Sequence, residues 1–331
     1  MKRLIYYPGF ESTNENWLKF ALLYIGKLSP ILPTRADEKS SELYKKLTNE
    51  TDLLLNHRPG FHEGYKSALD AIDIVDRICA TPQRFDMFFN NLNVVKNWKD
   101  KSSHDYFLYH EKFSNEWAQY CVTNGFASYD DNGIRLTESL AVLYMTVLAN
   151  RIADDKEISP ITDYEKLDKL SFFLKKTAPV STNQTVNAKG VISLKLPANI
   201  NQLKIEDIIK LRNSKGFKKN QEAFHEELSN FLTNLEAGDH SKDFIKKYSE
   251  TTGNFTEQIM SIGTDSIGVG IGTWLLLDAI APGMAEVIKL ATTTVGIVIK
   301  QGFSISKTWK NSTSKRNCRR YLATLENIPR K

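Results

Sequence analysis

Runs of apolar residues along the chain alternate between the two-residue period of strands and the three-to-four-residue period of helices. The segment RLIYY (3–7) has the apolar and aromatic bias of a short strand stopped by Pro8-Gly9. Asn14 then caps NENWLKFALLYIGKL, in which Trp17, Leu18, Ala21, Leu22 and Ile25 recur at helical spacing. PILP (30–33) reads as a second short strand, closing a βαβ-like unit in which each proline limits pairing. Helical patterns follow over 38–57 and 66–79, separated by the turn chemistry of HRPGFHEG, and another over 111–124 with Asn124-Gly125 as its stop signal. Asp131-Asn132-Gly133 marks a turn before ESLAVLYMTVLANRIADD (138–155), apolar nearly all round and so expected at the centre of a core. Its Tyr144 and Met145 read as packing residues.

The polar, aperiodic APVSTNQTVNAKG (178–190) is the expected loop or linker. Beyond it VISLKL (191–196) alternates as a strand and IEDIIKLR opens a helical region that Gly216 is placed to interrupt. Phe217, Phe224, Leu228, Phe231 and Leu235 then continue as a long amphipathic helix, docked on something and ended by Gly238. These readings give an α+β fold, predominantly helical, with a small sheet of short strands near 3–7, 30–33 and 191–196. The expected organisation is an N-terminal unit (1–177), the linker (178–190), a strand plus long helix packing on the first unit (191–260), an apolar hairpin (261–310) and a basic tail (311–331).

Residues 262–310 are almost cleared of charge and invite a transmembrane reading. In the first half, Ile267, Val269, Ile271, Leu275, Leu276, Leu277 and Ile280 each favour insertion by ~0.5 kcal/mol, while a central Asp278 costs ~3 kcal/mol, so insertion is near balance. Gly268 and Gly272 form GxxxG, which permits close helix approach in lipid and in a protein core alike. In the second half Val287, Ile288, Ala291, Val295, Val298, Ile305 and Trp309 trace one helical face, and Glu286, Lys289, Thr293, Lys300, Ser304 and Lys307 the opposite one. The segment is therefore expected to form a buried αα-hairpin turning at Pro282-Gly283, with membrane engagement as the minority reading.

Charge sharpens the picture of the C-terminus. The chain carries +5 overall, yet Lys307, Lys310, Lys315, Arg316, Arg319, Arg320, Arg330 and Lys331 face only Glu326 in the last stretch, which leaves the body slightly acidic. Lys315, Arg316, Arg319 and Arg320 are the expected contacts to an anionic phosphate surface, nucleic acid or membrane; the plainer alternative is a solvated terminal helix. An apolar fraction of 41% with 25% charged residues over 331 positions is that of a globular protein. Cys79, Cys121 and Cys318 are odd in number and widely spaced, which suggests no disulfide framework and fits a reducing cytoplasm. MKRLIYYPGF has no apolar run of the signal-peptide kind.

The opening IYYPGF…NENWLKFALLYIGKLSPILP, the helix LAVLYMTVLANRIADD followed by ISPITD, and LPANI…IEDIIKLR together resemble an uncharacterised bacterial family. Its members share a YYP…WLK.ALLY…I.P opening and a YM..LA..IA helix ending in P.TD. The resemblance spans most of residues 5–235. It implies a soluble bacterial protein and brings no catalytic residues with it.

Candidate chemistry is sparse. His57, His62 and Glu63 lack metal-site spacing, and no metal site is assigned. Asp70, Asp73 and Asp76 fall at i, i+3 and i+6 and share a helix face, as a divalent-metal hydrolase requires; the alternative is a solvated face. His110 and Glu111 could pair as acid and base, but no nucleophile stands beside them. Tyr7, Asn14, Glu15 and Lys19 sit where the first strand gives way to the first helix, and Thr162 and Asp163 follow the buried helix. Ligands favour such strand ends in α/β sheets, although capping explains each position without a ligand. The expected function is a non-catalytic interaction or effector protein of a stress or phage-defence type, with a protein partner or a second copy and no evident cofactor. The alternatives are a metal-dependent nuclease or nucleotide hydrolase, and a membrane-active effector inserting residues 262–300.

Overall fold

The computed structural model describes residues 3–33, 40–84, 93–156, 158–163, 190–192, 203–236 and 275–277, with the single positions Asn317, Arg320, Tyr321 and Thr324. The fold is α+β and predominantly helical, with small sheets of short strands.

The βαβ unit forms as expected. Strand β1 (Arg3–Tyr6) leads to helix α1 (Glu15–Tyr24) and back to β2 (Lys27–Pro30), which pairs with β1 in parallel. Asn14 caps α1, its Oδ1 accepting from Trp17 N at 3.1 Å. The second strand starts three residues earlier than PILP suggests, with Pro30 at its end, where a missing N–H costs the ladder nothing. On the other side of β1 lies a strand absent from the sequence reading, β6 (Ser159–Ile161), also parallel, giving the order β2-β1-β6.

The helical reading of 38–57 holds only in part. Helix α2 (Glu42–Glu50) is capped by Ser41 and closed at Thr51, whose N–H and hydroxyl both donate to Leu47 O. The following LLLN run is extended: Leu54 and His57 bridge Leu28 and Ile31 in parallel, adding an edge beside β2. Short apolar runs carry no period that separates helix from strand. Helix α3 (Phe61–Ala80) begins inside the predicted turn, because Glu63 reaches back to accept from Gly60 N at 2.8 Å. After a short α4 (Val94–Trp98), the predicted helix over 111–124 shortens to α5 (Asn115–Thr123), preceded by a 3-10 turn at His110–Lys112. Gly125, at φ 73°, ends it in the left-handed region.

The Asp131-Asn132-Gly133 turn joins two strands the pattern did not reveal. β4 (Ala127–Asp130) and β5 (Gly133–Leu136) form a tight hairpin, and β3 (Tyr106–Tyr109) pairs on the far side of β5. A Cβ at Gly133 would lie 2.0 Å from Leu108 O, so the close approach of β3 requires glycine. Helix α6 (Glu138–Asp155) occupies the predicted span and is buried almost all round, contacting α3, the parallel sheet and β3. Trp117 stacks on Tyr144 with centroids 4.7 Å apart, and the Tyr144 hydroxyl donates to Lys112 O.

Strand β7 (Gly190–Ile192) pairs antiparallel with β8 (Leu275–Leu277). This corrects the hairpin reading at those three leucines, which form a strand; the rest of 262–310 lies outside the described residues. Among the described residues no helix is long and apolar enough to cross a membrane. Helices α7 (Ile205–Asn213) and α8 (Lys215–Glu236) occupy the amphipathic region, breaking at Ser214 beside Gly216. The linker reading over 178–190 and the stop at Gly238 fall outside the described residues, save Gly190, which opens β7.

Candidate functional site

The carboxyl ends of β1 and β6 bring the sequence-selected Asp163 together with two hydroxyls. Tyr6 donates to Asp163 Oδ1 at 3.0 Å and Ser12 to Oδ2 at 2.6 Å. Parallel pairing puts the end of β6 beside the end of β1, and the loop between β1 and α1 folds back so that Ser12 also accepts from Asn14 N at 3.1 Å. Burial pushes the Asp163 carboxyl above its ordinary range, against the two hydroxyl donors that favour the anion. The other residues selected from the sequence at this edge have structural duties. Tyr7 is fully buried and its N–H donates to Ile161 O; Asn14 caps α1; Glu15 pairs with the buried Lys19 at 2.8 Å. Thr162 is buried beside them. Tyr6 and Ser12 are the members that sequence reasoning missed, since neither position announces which way a strand-end hydroxyl will turn.

A pH prediction follows from Asp163. Its carboxyl is more basic folded than unfolded, so the folded state binds more protons across the window between the two values. The contribution to stability is full below the ordinary carboxylate range, about pH 4, and falls as pH rises through the folded value. Urea midpoints measured from about pH 4 to about pH 7 should carry a downward component that Asp163→Asn removes, set against the rise that His57 and Glu63 contribute. An unchanged profile in the variant would remove Asp163 as its source.

The opposite flank of the sheet carries a second polar group. His57 Nε2 lies 3.0 Å from Glu63 Oε2, and Lys156 Nζ approaches Glu63 Oε1 at 3.6 Å. Burial lowers the His57 pKa, opposed by Glu63. For Glu63 burial pushes upward, but the Gly60 N–H, His57 and Lys156 together outweigh it and hold the carboxylate low. His62, the other histidine of that turn, is exposed. Glu63 thus locks the start of α3 to the sheet edge. His110 Nδ1 lies 2.9 Å from Asn132 O and 3.9 Å from Glu111 Oε2, and the neighbouring Lys112 is buried, its ammonium pushed down to about 8 by that burial.

The three aspartates of α3 are each held by a different group. Asp70 pairs with Arg151 of α6, Asp73 with Arg77 one turn along, and Asp76 accepts from the Tyr120 hydroxyl of α5 at 2.5 Å. Burial, then Asp76, raises the Tyr120 hydroxyl's pKa far above its usual value, so it stays a donor. Among the described residues no group of three or more His, Cys, Asp or Glu side chains is placed to hold a metal ion.

At the C-terminus Lys315, Arg316 and Arg319 lie outside the described residues. Arg320 is exposed, while Asn317 and Tyr321, one helical turn apart, are buried. Tyr321 packs its ring against Phe217, Phe224 and Tyr24, and its hydroxyl donates to Leu23 O. It completes a polar collar around the end of α1. Gln221 Nε2 donates to Leu23 O at 2.6 Å, His225 Nε2 lies 2.7 Å from Tyr24 O, and Arg212 donates to Leu22 O, Ile25 O and Gly26 O at 2.6 to 2.8 Å. Arg212 also meets Asp52 at 3.0 Å. A helix end leaves its last carbonyls without intrahelical donors, and here side chains distant in sequence supply them. Tyr321 is therefore held in the body, and Arg320 beside it is exposed. No family model, curated protein or solved structure matches the chain.

Proposed function

We propose that the chain is a non-catalytic interaction or effector protein acting in phage defence or a stress response. The observation that supports this best is the commitment of Asp70, Asp73 and Asp76 to Arg151, Arg77 and Tyr120. A two-metal or one-metal hydrolase needs carboxylates converging on one point with lone pairs turned to the cation. Here each carboxylate is turned to a different neighbour and ties α3 to itself, to α5 or to α6. The polar groups at the strand ends likewise serve caps, pairs and backbone. What remains outward is surface: the basic Arg320, suited to an anionic phosphate group, and an aromatic stripe on α3.

The test is direct. With magnesium or manganese present, the full-length protein should leave labelled single- and double-stranded DNA and RNA intact. Cleavage that disappears in Asp73→Ala or Asp76→Ala would replace this reading by the hydrolase.

A further inference from the structure

The chain leaves β1 toward β2 through α1 and returns on the opposite side of β1 as β6, so the strand order reverses between β1 and β6. In open α/β sheets ligands sit in the crevice at the carboxyl ends of two such strands, where the connections after them diverge. Asp163 lies at that crevice, two residues beyond β6, and the loop between β1 and α1 meets it there through Ser12.

Asp163 serves neither a cap nor an ion pair. Its half-buried carboxyl takes hydroxyl donors from Tyr6 at 3.0 Å and Ser12 at 2.6 Å, and among the described residues it meets no cation. Two neutral hydroxyls fix the direction of a carboxylate without balancing its charge, and they leave half of its lone pairs open. Trp17 carries the complementary demand. It is fully buried, its ring centroid lies 5.0 Å from that of Tyr6, and its Nε1–H has no acceptor. A buried N–H without a partner is uncommon and costly.

The charge around the crevice has one sign. Glu11, next to Ser12, is held by the Ser41 N–H and hydroxyl and by no cation among the described residues. Glu15 opens α1, and Lys19, the one lysine of residues 8–19, is buried and paired with it at 2.8 Å. An anion at the start of α1 would meet these carboxylates, whereas an ammonium is complementary to them.

We propose that the crevice between the ends of β1 and β6 binds a small organic cation, a primary ammonium that donates to Asp163 and carries a hydroxyl or carbonyl oxygen for the indole N–H of Trp17. The inference goes beyond the interaction reading by adding a ligand on which the protein performs no chemistry.

Ethanolamine is the smallest probe of that description, and acetate reverses its charge. In saturation-transfer NMR on the full-length protein near neutral pH, ethanolamine should bind with a Kd in about the millimolar range, as so few atoms allow, and acetate should not bind. Asp163→Asn keeps the shape and removes the charge, and should weaken ethanolamine binding by about tenfold or more. Trp17→Phe keeps a ring and removes the donor, and should weaken it by about threefold or more. Melting curves without ligand show whether each variant is folded, and either suffices if the other is not. Absence of ethanolamine binding at about 20 mM overturns the proposal. Binding unchanged in both variants overturns it by placing the amine elsewhere, and acetate binding as well as ethanolamine overturns the assigned charge. Magnesium that displaces ethanolamine and fails to bind Asp163→Asn would make this a metal site instead. None of these failures bears on nucleic-acid cleavage, which the assay above decides separately.

Discussion

Arg212→Ala should cost the protein about 4 kcal/mol of folding stability, because it leaves two buried backbone carbonyls and a half-buried third without donors. The guanidinium is almost fully buried and divides its N–H groups among Leu22, Ile25 and Gly26, at the end of α1 and the turn into β2. A buried acceptor deprived of its donor loses about 1–3 kcal/mol, and here two are deprived together with a third that is half-buried. The ion pair with Asp52 adds less, since that carboxylate is 39% exposed and water replaces part of what is lost. Burial pulls the guanidinium's pKa down, with Asp52 opposing, yet it remains charged at any pH that the fold survives. Arg212→Met keeps most of the volume and should lose nearly as much as alanine, which separates hydrogen bonding from packing. Arg212→Lys should fall between, one ammonium being unable to reproduce a planar fork. Urea unfolding followed by tryptophan fluorescence gives these differences directly. A loss below about 1 kcal/mol in Arg212→Ala would mean that water serves the carbonyls as well.

Tyr321→Ala carries the second large expectation, again about 4 kcal/mol, while Tyr321→Phe should lose only about 1 kcal/mol. The ring touches Tyr24, Phe217 and Phe224 with centroids 6.2, 5.3 and 5.1 Å away, so its removal opens a cavity among three aromatic groups of two helices. The hydroxyl bond to Leu23 O is shared with Gln221, which continues to serve that carbonyl in the phenylalanine variant. The contrast between the two substitutions therefore measures how far packing, rather than the hydrogen bond, holds Tyr321 against α1 and α8. Equal losses would assign the anchoring to the hydroxyl instead.

Much of the framework was legible because its signals are local. Asn14 before an apolar helical period specifies α1, and the uninterrupted apolar character of 138–155 places α6 in the centre at its observed boundaries. The antiparallel sheet escaped because YFLY, ASYD and GIRL are four residues each, too short for alternation to be distinguished from chance. β6 escaped for another reason: Pro160 sits in the middle of its three residues and argues against a strand wherever an N–H is needed. At the candidate site Asp163 was legible from its place after a buried helix. Its partners were not, since Tyr6 rather than Tyr7 supplies the hydroxyl, and adjacent strand residues point to opposite faces. The collar around α1 had no local signature at all. Arg212 and Gln221 read as polar positions on an amphipathic helix, and only the tertiary docking buries them.

The central strand β1 gains its two neighbours far apart along the chain. Leu4 acquires its second neighbour only when Ser159 has been synthesised, and Leu23 its tyrosine donor only when the chain has reached Tyr321. On the ribosome, where chains grow at roughly 5–20 residues per second, the N-terminal βαβ unit therefore spends many seconds with one sheet edge and one helix end unclosed. Pairings so distant in sequence are slow to form and leave strand edges available to other chains in the interval.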